Sequence, residues 1–569
     1  MRRVISLWLC ITVFLGIATT GGVSAQEADH YAIEPQYSYI PHYNYDFNAF
    51  NEGLAWVRLT KSGDLGVIDR SGEVLFSGYS ISPYSFTTYV YSEGLSRVKD
   101  DAGKWVYVDA TGKVVLKTTY DNVLNFREGL AAVSKNGKWG FIDRTGKEII
   151  KPQYVEVRDD DGYGIHSGTA GFYEGLAAVS KNGKWGYIDH TGKEVISLKY
   201  DWAFNFYEGL AVVSKNNKWG YINQAGKEVI PIKYDEADSF SEGLGRVLVP
   251  NKNYYHWAFL DKSGKIVLDF KNKYDFIRSF KEGIAVATYV DRQYNDGTAL
   301  VDKSGKVIAD LGSKYYEVKD FSEGLAYVYA NHKEGFIDRT GKEVIKPIYK
   351  HVNGASNGLI GFSLDESSNS YGFMYNPIDQ PSTWAQSEVK KARAMNIIPL
   401  AIDYGYQNEI TRAEFSKLAL RLLMVAQGQS MDELLSKDSK NNQSKLIQDT
   451  YDAEVLAAYS LGIITGKGND KLDPQGLITR QEAAVMIARV AKSLHMPEQS
   501  KKVTFADDKS IASWAKEAVA YISSIKDTSN NSAVMSSVGN SKFAPKSTYT
   551  KQQAIISMKR LLNSYQLKQ

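Results

Sequence analysis

Three times in the last third of the chain a threonine is followed at once by a cation, with an acid or amide two places beyond it. The stretches are Ile410-Thr411-Arg412-Ala413-Glu414, Thr479-Arg480-Gln481-Glu482 and Thr550-Lys551-Gln552-Gln553. Each precedes an apolar run of helical period, so the threonine and the acid or amide fit a capping box at a helix start. That accounts for two of the three residues and leaves the cation. The first turn of a helix presents partial positive charge, and an exposed cation there costs about 0.3–1 kcal/mol. A bound anion would offset the cost, because unused amides at a helix start and a guanidinium fork together suit a carboxylate or phosphate. A salt bridge to a neighbouring acid would do the same, and the physics of the motif leaves the two open.

The other candidates for chemistry are carboxylates that recur: Glu at 52, 93, 128, 174, 208, 242, 282 and 323, and Asp at 69, 109, 143, 189, 261, 302 and 338. Glycoside cleavage needs two carboxyls in different environments, one acid and one base. Residues repeated in every unit of an array sit in equivalent environments, so turn-making and strand-end roles are expected for them. The insertion RDDDGYGIHSGTAG, 158–171, places Asp159, Asp160 and Asp161 before Gly162. Its spacing departs from a calcium loop and no glutamate closes it, so a solvated acidic loop is expected, and a contact specific to its unit. Histidines are scattered, with no His-x-x-x-His pair and no Gly-x-Ser-x-Gly, which leaves nucleophilic and zinc catalysis without support. Exposed Trp and Tyr faces remain as candidates for stacking on sugar or anchoring a partner protein.

The elements that position these residues follow from self-similarity. Glu-Gly-Leu or a close variant begins at 52, 93, 128, 174, 208, 242, 282, 323 and 357, which gives nine units with steps of 34 to 46 residues. In the fourth, Leu176 to Ser180 is a strand, Asn182-Gly183 a tight hairpin turn, Lys184 to Asp189 a second strand, and Asp189 to Gly192 another turn before a third strand from Lys193. Segments such as YDWAFNF supply a fourth strand. Such a meander cannot bury its faces alone, so neighbours must stack, as a propeller-like ring or an open β-solenoid. The Trp-Gly pairs at 139–140, 185–186 and 219–220, each followed by an Asp/Asn-x-x-Gly-Lys turn, resemble WG repeats; Leu65-Gly66, Trp105-Val106, Trp257-Ala258, Glu334-Gly335 and Tyr371-Gly372 fill the same slot. The resemblance covers residues 46–376 and implies a β-repeat interaction scaffold of unspecified protein or glycan ligand.

Beyond a Pro-rich linker at 377–383 the period becomes helical, as in Ile511, Trp514, Ala515, Ala518, Val519 and Ile522. Three helix, loop, motif, helix units at 384–427, 447–494 and 505–564 resemble S-layer homology domains. The second carries Gly462-Ile463-Ile464 and Leu472-Asp473-Pro474, and the third opens on Phe505-Ala506-Asp507 and contains Trp514-Ala515. The resemblance implies an all-α pseudo-threefold triplet whose grooves bind an anionic, pyruvylated secondary cell-wall polymer. Carried over residue by residue, it implicates Trp384 and Arg412 in the first unit, Asp449, Gly462, Gly466 and Arg480 in the second, and Asp507, Trp514 and Lys551 in the third. Lys551 keeps the charge of its position without the planar fork, and the second unit has no tryptophan at the start of its first helix.

The chain begins with Arg2-Arg3, an apolar run from Val4 to about Ile17, and Val23-Ser24-Ala25 before Gln26, the pattern of a secretory signal over 1–25. A Tyr-rich segment, 26–45, leads into the repeats. The one cysteine, Cys10, lies in that signal, with Trp8 and Leu9 where a lipidation box needs small residues. An exported chain without thiols must be stabilised by packing. The formal charge is +3, or +1 without Arg2 and Arg3, which speaks against nucleic acid as a partner. The expectation is a secreted, wall-anchored binding protein with no enzymatic activity and no cofactor or metal. The rival is an envelope enzyme that cleaves polysaccharide while the triplet tethers it.

Overall fold

The computed structural model describes residues 31–38, 50–60, 63–79, 90–157, 170–250, 255–271, 273–290, 296–363, 371–437, 447, 449–450, 452–468, 470–497 and 503–566. The signal segment and all of the acidic insertion but Ala170 and Gly171 lie outside them.

Antiparallel sheets of three to five strands succeed one another along the repeats, and none closes into a barrel. The fifth unit shows the pattern: strands Trp202–Tyr207, Leu210–Lys215, Lys218–Asn223 and Glu228–Tyr234 pair in chain order. The first three are apolar-rich and largely buried, and the fourth alternates exposed and buried residues, as an outer strand does. The exception to the chain-order rule joins the two ends of the array. The N-terminal strand Tyr31–Ser38 pairs with the last strand of the ninth unit, Tyr371–Tyr375, and with Leu54–Leu59 of the first, which makes one seven-stranded sheet. The repeats therefore form a ring, not an open superhelix.

Packing repeats the same message. Each seam between consecutive units has its own apolar cluster; Trp185, Tyr187, Ala203 and Phe206 belong to the one between units four and five. The cluster of Ile33, Ala55, Ile68, Leu359 and Phe373 fills the seam between units nine and one. This is nearest-neighbour stabilisation of a repeat array with its ends joined.

The Trp-Gly pair has a steric cause. A Cβ on Gly186 would lie 2.5 Å from the Ile196 carbonyl oxygen, and one on Gly140, 2.3 Å from that of Ile150. The outer strand bulges inward here: Trp185 faces Tyr200 and Tyr187 faces Ile196, so three residues oppose the glycine. Where the slot holds Val106 or Ala258, the outer strand is short and pairs in regular register opposite it.

The C-terminal region is helical: α1 Thr383–Ala394, α2 Arg412–Gln427, α3 Met431–Lys437, α4 Ala453–Ser460, α5 Arg480–Ser493, α6 Lys516–Ser524 and α7 Lys551–Gln566. It has one continuous apolar core. All three expected capping boxes are present: Thr411 accepts from the Glu414 amide, Thr479 from the Glu482 amide and Thr550 from the Gln553 amide, with the Glu414, Glu482 and Gln553 side chains reaching back. A closed circuit of backbone bonds lies at its centre, where Ile410 donates to Tyr549, Tyr549 to Ile478 and Ile478 to Ile410. Each of the three motif segments, one per helical copy, thus supplies one residue to the circuit.

The helices dock on the ring. Arg70 of the first repeat donates to the Asp403 carbonyl at 2.5 Å and lies over the Tyr404 ring. The segment expected as a linker takes part as well: both carboxylate oxygens of Asp379 accept from the Gly405 amide at 2.7 and 2.9 Å. Asp449 and Asp507 make the corresponding bonds, to Leu472 and Asp473 and to Phe543 and Ala544. Residues 377–383 are therefore part of the first helical copy.

Candidate functional site

The recurring glutamates proved to be ring fasteners. Glu208 takes a left-handed φ of 54°, followed by Gly209 at 83°, so the pair forms the tight turn between first and second strands. A left-handed glutamate is strained by about 1–2 kcal/mol. Its carboxylate is thereby aimed at the next unit, where it accepts from the Gly243 amide at 3.0 Å. The same bond runs from Gly94 to Glu52, Gly129 to Glu93, Gly175 to Glu128, Gly209 to Glu174, Gly283 to Glu242, Gly324 to Glu282 and Gly358 to Glu323. Asn357 completes the circuit by accepting from Gly53 at 2.8 Å. The recurring aspartates are turn formers: Asp189 accepts from Thr191 and Lys193, and the Thr191 hydroxyl holds its pKa below the usual range. Each carboxylate has a structural duty, as equivalence in the repeats led one to expect.

The three motif cations are buried, with Arg412 and Arg480 each 5% exposed and Lys551 4%. The amides at these helix starts are not free, contrary to expectation. Arg412 and Ala413 donate to the Gly476 and Pro474 carbonyls, Arg480 and Gln481 to Ser547 and Pro545, and Lys551 and Gln552 to Asn408 and Tyr406. The neighbouring copy consumes the donors that would have bound an anion, so recognition there falls to side chains.

Those side chains differ in how they are neutralised. Arg412 donates through Nε to Leu472 O at 2.8 Å and through Nη2 to Thr465 O at 2.9 Å, with the Glu482 carboxylate 3.9 Å from Nη1. Arg480 makes the equivalent bonds to Phe543 O and Ser536 O, at 2.8 and 2.9 Å. It forms no ion pair among the described residues, because Gln553 stands where the other copies have Glu482 or Glu414. Burial pulls its pKa down, so the charge is one that a counter-ion would stabilise. Lys551 is paired with Glu414 at 2.6 Å and covered by Tyr404. In this third position Lys417 also pairs with Asp452 at 2.5 Å and Glu454 at 3.8 Å. The three cations are thus met in three ways: Arg412 by a partial acid, Arg480 by none, and Lys551 by a full internal salt bridge.

Among the described residues, two open clefts hold a motif cation. One, about 230 Å³, brings together Arg412 of the first copy, Gly466 and Lys467 of the second and Trp514 of the third. The other, about 330 Å³, brings together Trp384, Arg480 and Ser536 of the three copies in turn. Both tryptophans are well exposed, at 59% for Trp384 and 58% for Trp514. The expected residues Arg412, Gly466 and Trp514 therefore converge, as do Arg480 and Trp384, each set drawn from different copies. Asp449 and Asp507 are loop clamps through two backbone amides each, Gly462 at φ 72° follows the end of α4, and Lys551 is internally paired. None of these four lines either cleft.

Two cleft residues escaped sequence reasoning. Arg489 lines the first cleft and donates to Ile463 O at 3.2 Å; Arg560 lines the second and donates to Ala533 O at 3.0 Å. Both fall nine places after the motif cation, as does Arg421, which bonds Asn396 O. That recurrence is the signal by which they could have been found. Each cleft so pairs two guanidiniums with an indole, a combination suited to an anionic sugar.

Comparison with known proteins agrees with this division. Eight stretches, 107–139, 139–164, 169–185, 185–219, 219–254, 257–289, 300–333 and 335–366, match the WG containing repeat, where the Glu-Gly pattern marks nine units. Residues 447–484 match the S-layer homology domain, which indicates association with the bacterial cell surface or wall. An amylopullulanase of Thermoanaerobacterium thermosulfurigenes is 30% identical over 215 residues, 36% of this chain and 11% of that protein. Exoglucanase XynX of Acetivibrio thermocellus is 29% identical over 180 residues, 31% of this chain and 15% of that protein. The chain thus spans a small part of the curated relatives it matches. Among solved structures, a eukaryotic initiation factor aligns over 61% of this chain and 94% of its own with 12% identity and a TM-score of 0.39. No helix among the described residues is long and apolar enough to cross a membrane.

Proposed function

We propose that this is a secreted surface protein held non-covalently to the cell wall by three S-layer homology units, while the WG ring serves as a scaffold for a protein or glycan partner. The wall ligand in this reading is a pyruvylated secondary polymer or a related anionic wall glycan. Its carboxylate meets the guanidinium pair of a cleft, and a sugar face rests on Trp384 or Trp514. The observation that carries the reading is Arg480, buried, aimed into an open cleft and without an acid partner among the described residues. Two modest clefts on one molecule would raise retention on a polymer through effective concentration.

The reading gives the chain no hydrolytic centre of its own, since the repeated carboxylates are engaged as fasteners and turns. The rival, a tethered polysaccharide-cleaving enzyme, draws on the names of the relatives, and reducing ends released from wall glycan would establish it. For the anchoring itself, the full chain is sedimented with cell-wall sacculi before and after removal of pyruvate. Retention on native sacculi, loss on stripped ones and loss for Arg412→Ala/Arg480→Ala are expected. Equal retention on both kinds of sacculi defeats the ketal assignment.

A further inference from the structure

We infer that the ring carries a binding site for a neutral pyranose on the pole remote from the helices, at the seam between the fourth and fifth repeats, built on Trp202. The inference rests on the scaffold reading above and names its ligand class. The helices dock on the pole of the Glu-Gly turns, through Arg70, Asp403 and Tyr404. Strand Leu210–Lys215 leads away from that pole for about 20 Å. At its far end Trp202 faces Ser214 across the sheet and is 47% exposed.

Trp202 is held as a platform. Its ring stacks on Trp185 at 6.1 Å between centroids and 21° between planes, and Trp185, 5% exposed, belongs to the apolar seam. Beside it Asp201 accepts from Lys184 Nζ at 2.5 Å and from the Asn216 amide at 2.7 Å. A carboxylate keeps further lone pairs and an ammonium further protons in such a pair. An apolar ring face bordered by a donor and an acceptor matches a pyranose, which offers a C–H face and equatorial hydroxyls. Lys184 and Asp201 offset each other and leave Lys215 as the further charge acting on Asp201, against two guanidiniums in each cationic cleft, and this weaker charge favours a neutral sugar. The corresponding residues in other repeats are arranged otherwise. In the place of Trp202 the seventh repeat has Phe276, which meets Trp257 edge-on beneath the Arg246 guanidinium, and the eighth has Glu317 opposite Tyr329.

The test uses the full chain and tryptophan fluorescence with cellohexaose, maltohexaose, xylohexaose and chitohexaose as probes. Saturable binding of at least one is expected, weakened about tenfold by Trp202→Ala, less by Trp202→Phe, and unchanged by Arg412→Ala/Arg480→Ala. Asp201→Asn should weaken it while leaving the stacking intact. Binding that ignores both Trp202 and Asp201 overturns the site but spares the scaffold reading. No binding of any probe, or Trp202-dependent capture of an envelope protein instead, overturns the sugar assignment.

Discussion

Replacing Glu208 tests the ring circuit at a single bond. Its carboxylate accepts from the Gly243 amide at 3.0 Å and lies 3.1 Å from Lys262 Nζ. A charge-assisted amide bond is worth about 1.5–3 kcal/mol. The lysine pair is about half exposed on the lysine side and adds at most about 1 kcal/mol. Glu208→Ala should therefore cost about 2–3 kcal/mol. Glu208→Gly loses the same bonds but relieves a left-handed φ of 54°, which returns about 1 kcal/mol. Glu208→Gln retains a neutral acceptor and should cost about 1 kcal/mol. Destabilisation should thus be greatest for alanine, less for glycine and least for glutamine. Urea unfolding followed by tryptophan fluorescence reports on the ring, which contains Trp56, Trp105, Trp139, Trp185, Trp202, Trp219 and Trp257. Midpoints for all three variants equal to that of the natural chain would refute the fastener assignment.

Gly186→Ala should destabilise the ring by more than about 3 kcal/mol, because the added Cβ meets backbone at Ile196, and thermal unfolding measures it. Burial lifts the pKa of Glu323 and of Asp379 where ring and helices meet, beside Arg70, Lys551 and Tyr404, and the Asp379 charge adds to the rise of Glu323. A carboxyl raised on folding contributes stability that is full below about pH 4 and is lost as pH rises through the raised value. Proteolysis at residues 376–383 should accordingly be slower at pH 5 than at pH 7.5, and Glu323→Gln should flatten the difference.

Much of the molecule could be deduced from residue order alone. Turns and strands are local: Asn182-Gly183 and Asp189 to Gly192 need only their own φ preferences and side-chain bonds, and the capping boxes at Thr411 and Thr479 lie within four residues. The turn-making role of each recurring glutamate followed from equivalence under repetition. Tertiary structure decided what depends on contacts between units. Joining of the ring rests on Tyr31–Ser38 meeting Tyr371–Tyr375, more than 300 residues away. Whether a cation at a helix start is spare depends on which copy's side chain faces it: Glu414 reaches Lys551, whereas Gln553 leaves Arg480 without an acid. Clefts assembled from three copies, with Arg489 and Arg560 as second cations, are likewise invisible to any single repeat. Short-range bonding is written in neighbouring residues, but electrostatic balance is a sum over space, and the chain's path through space sets its terms.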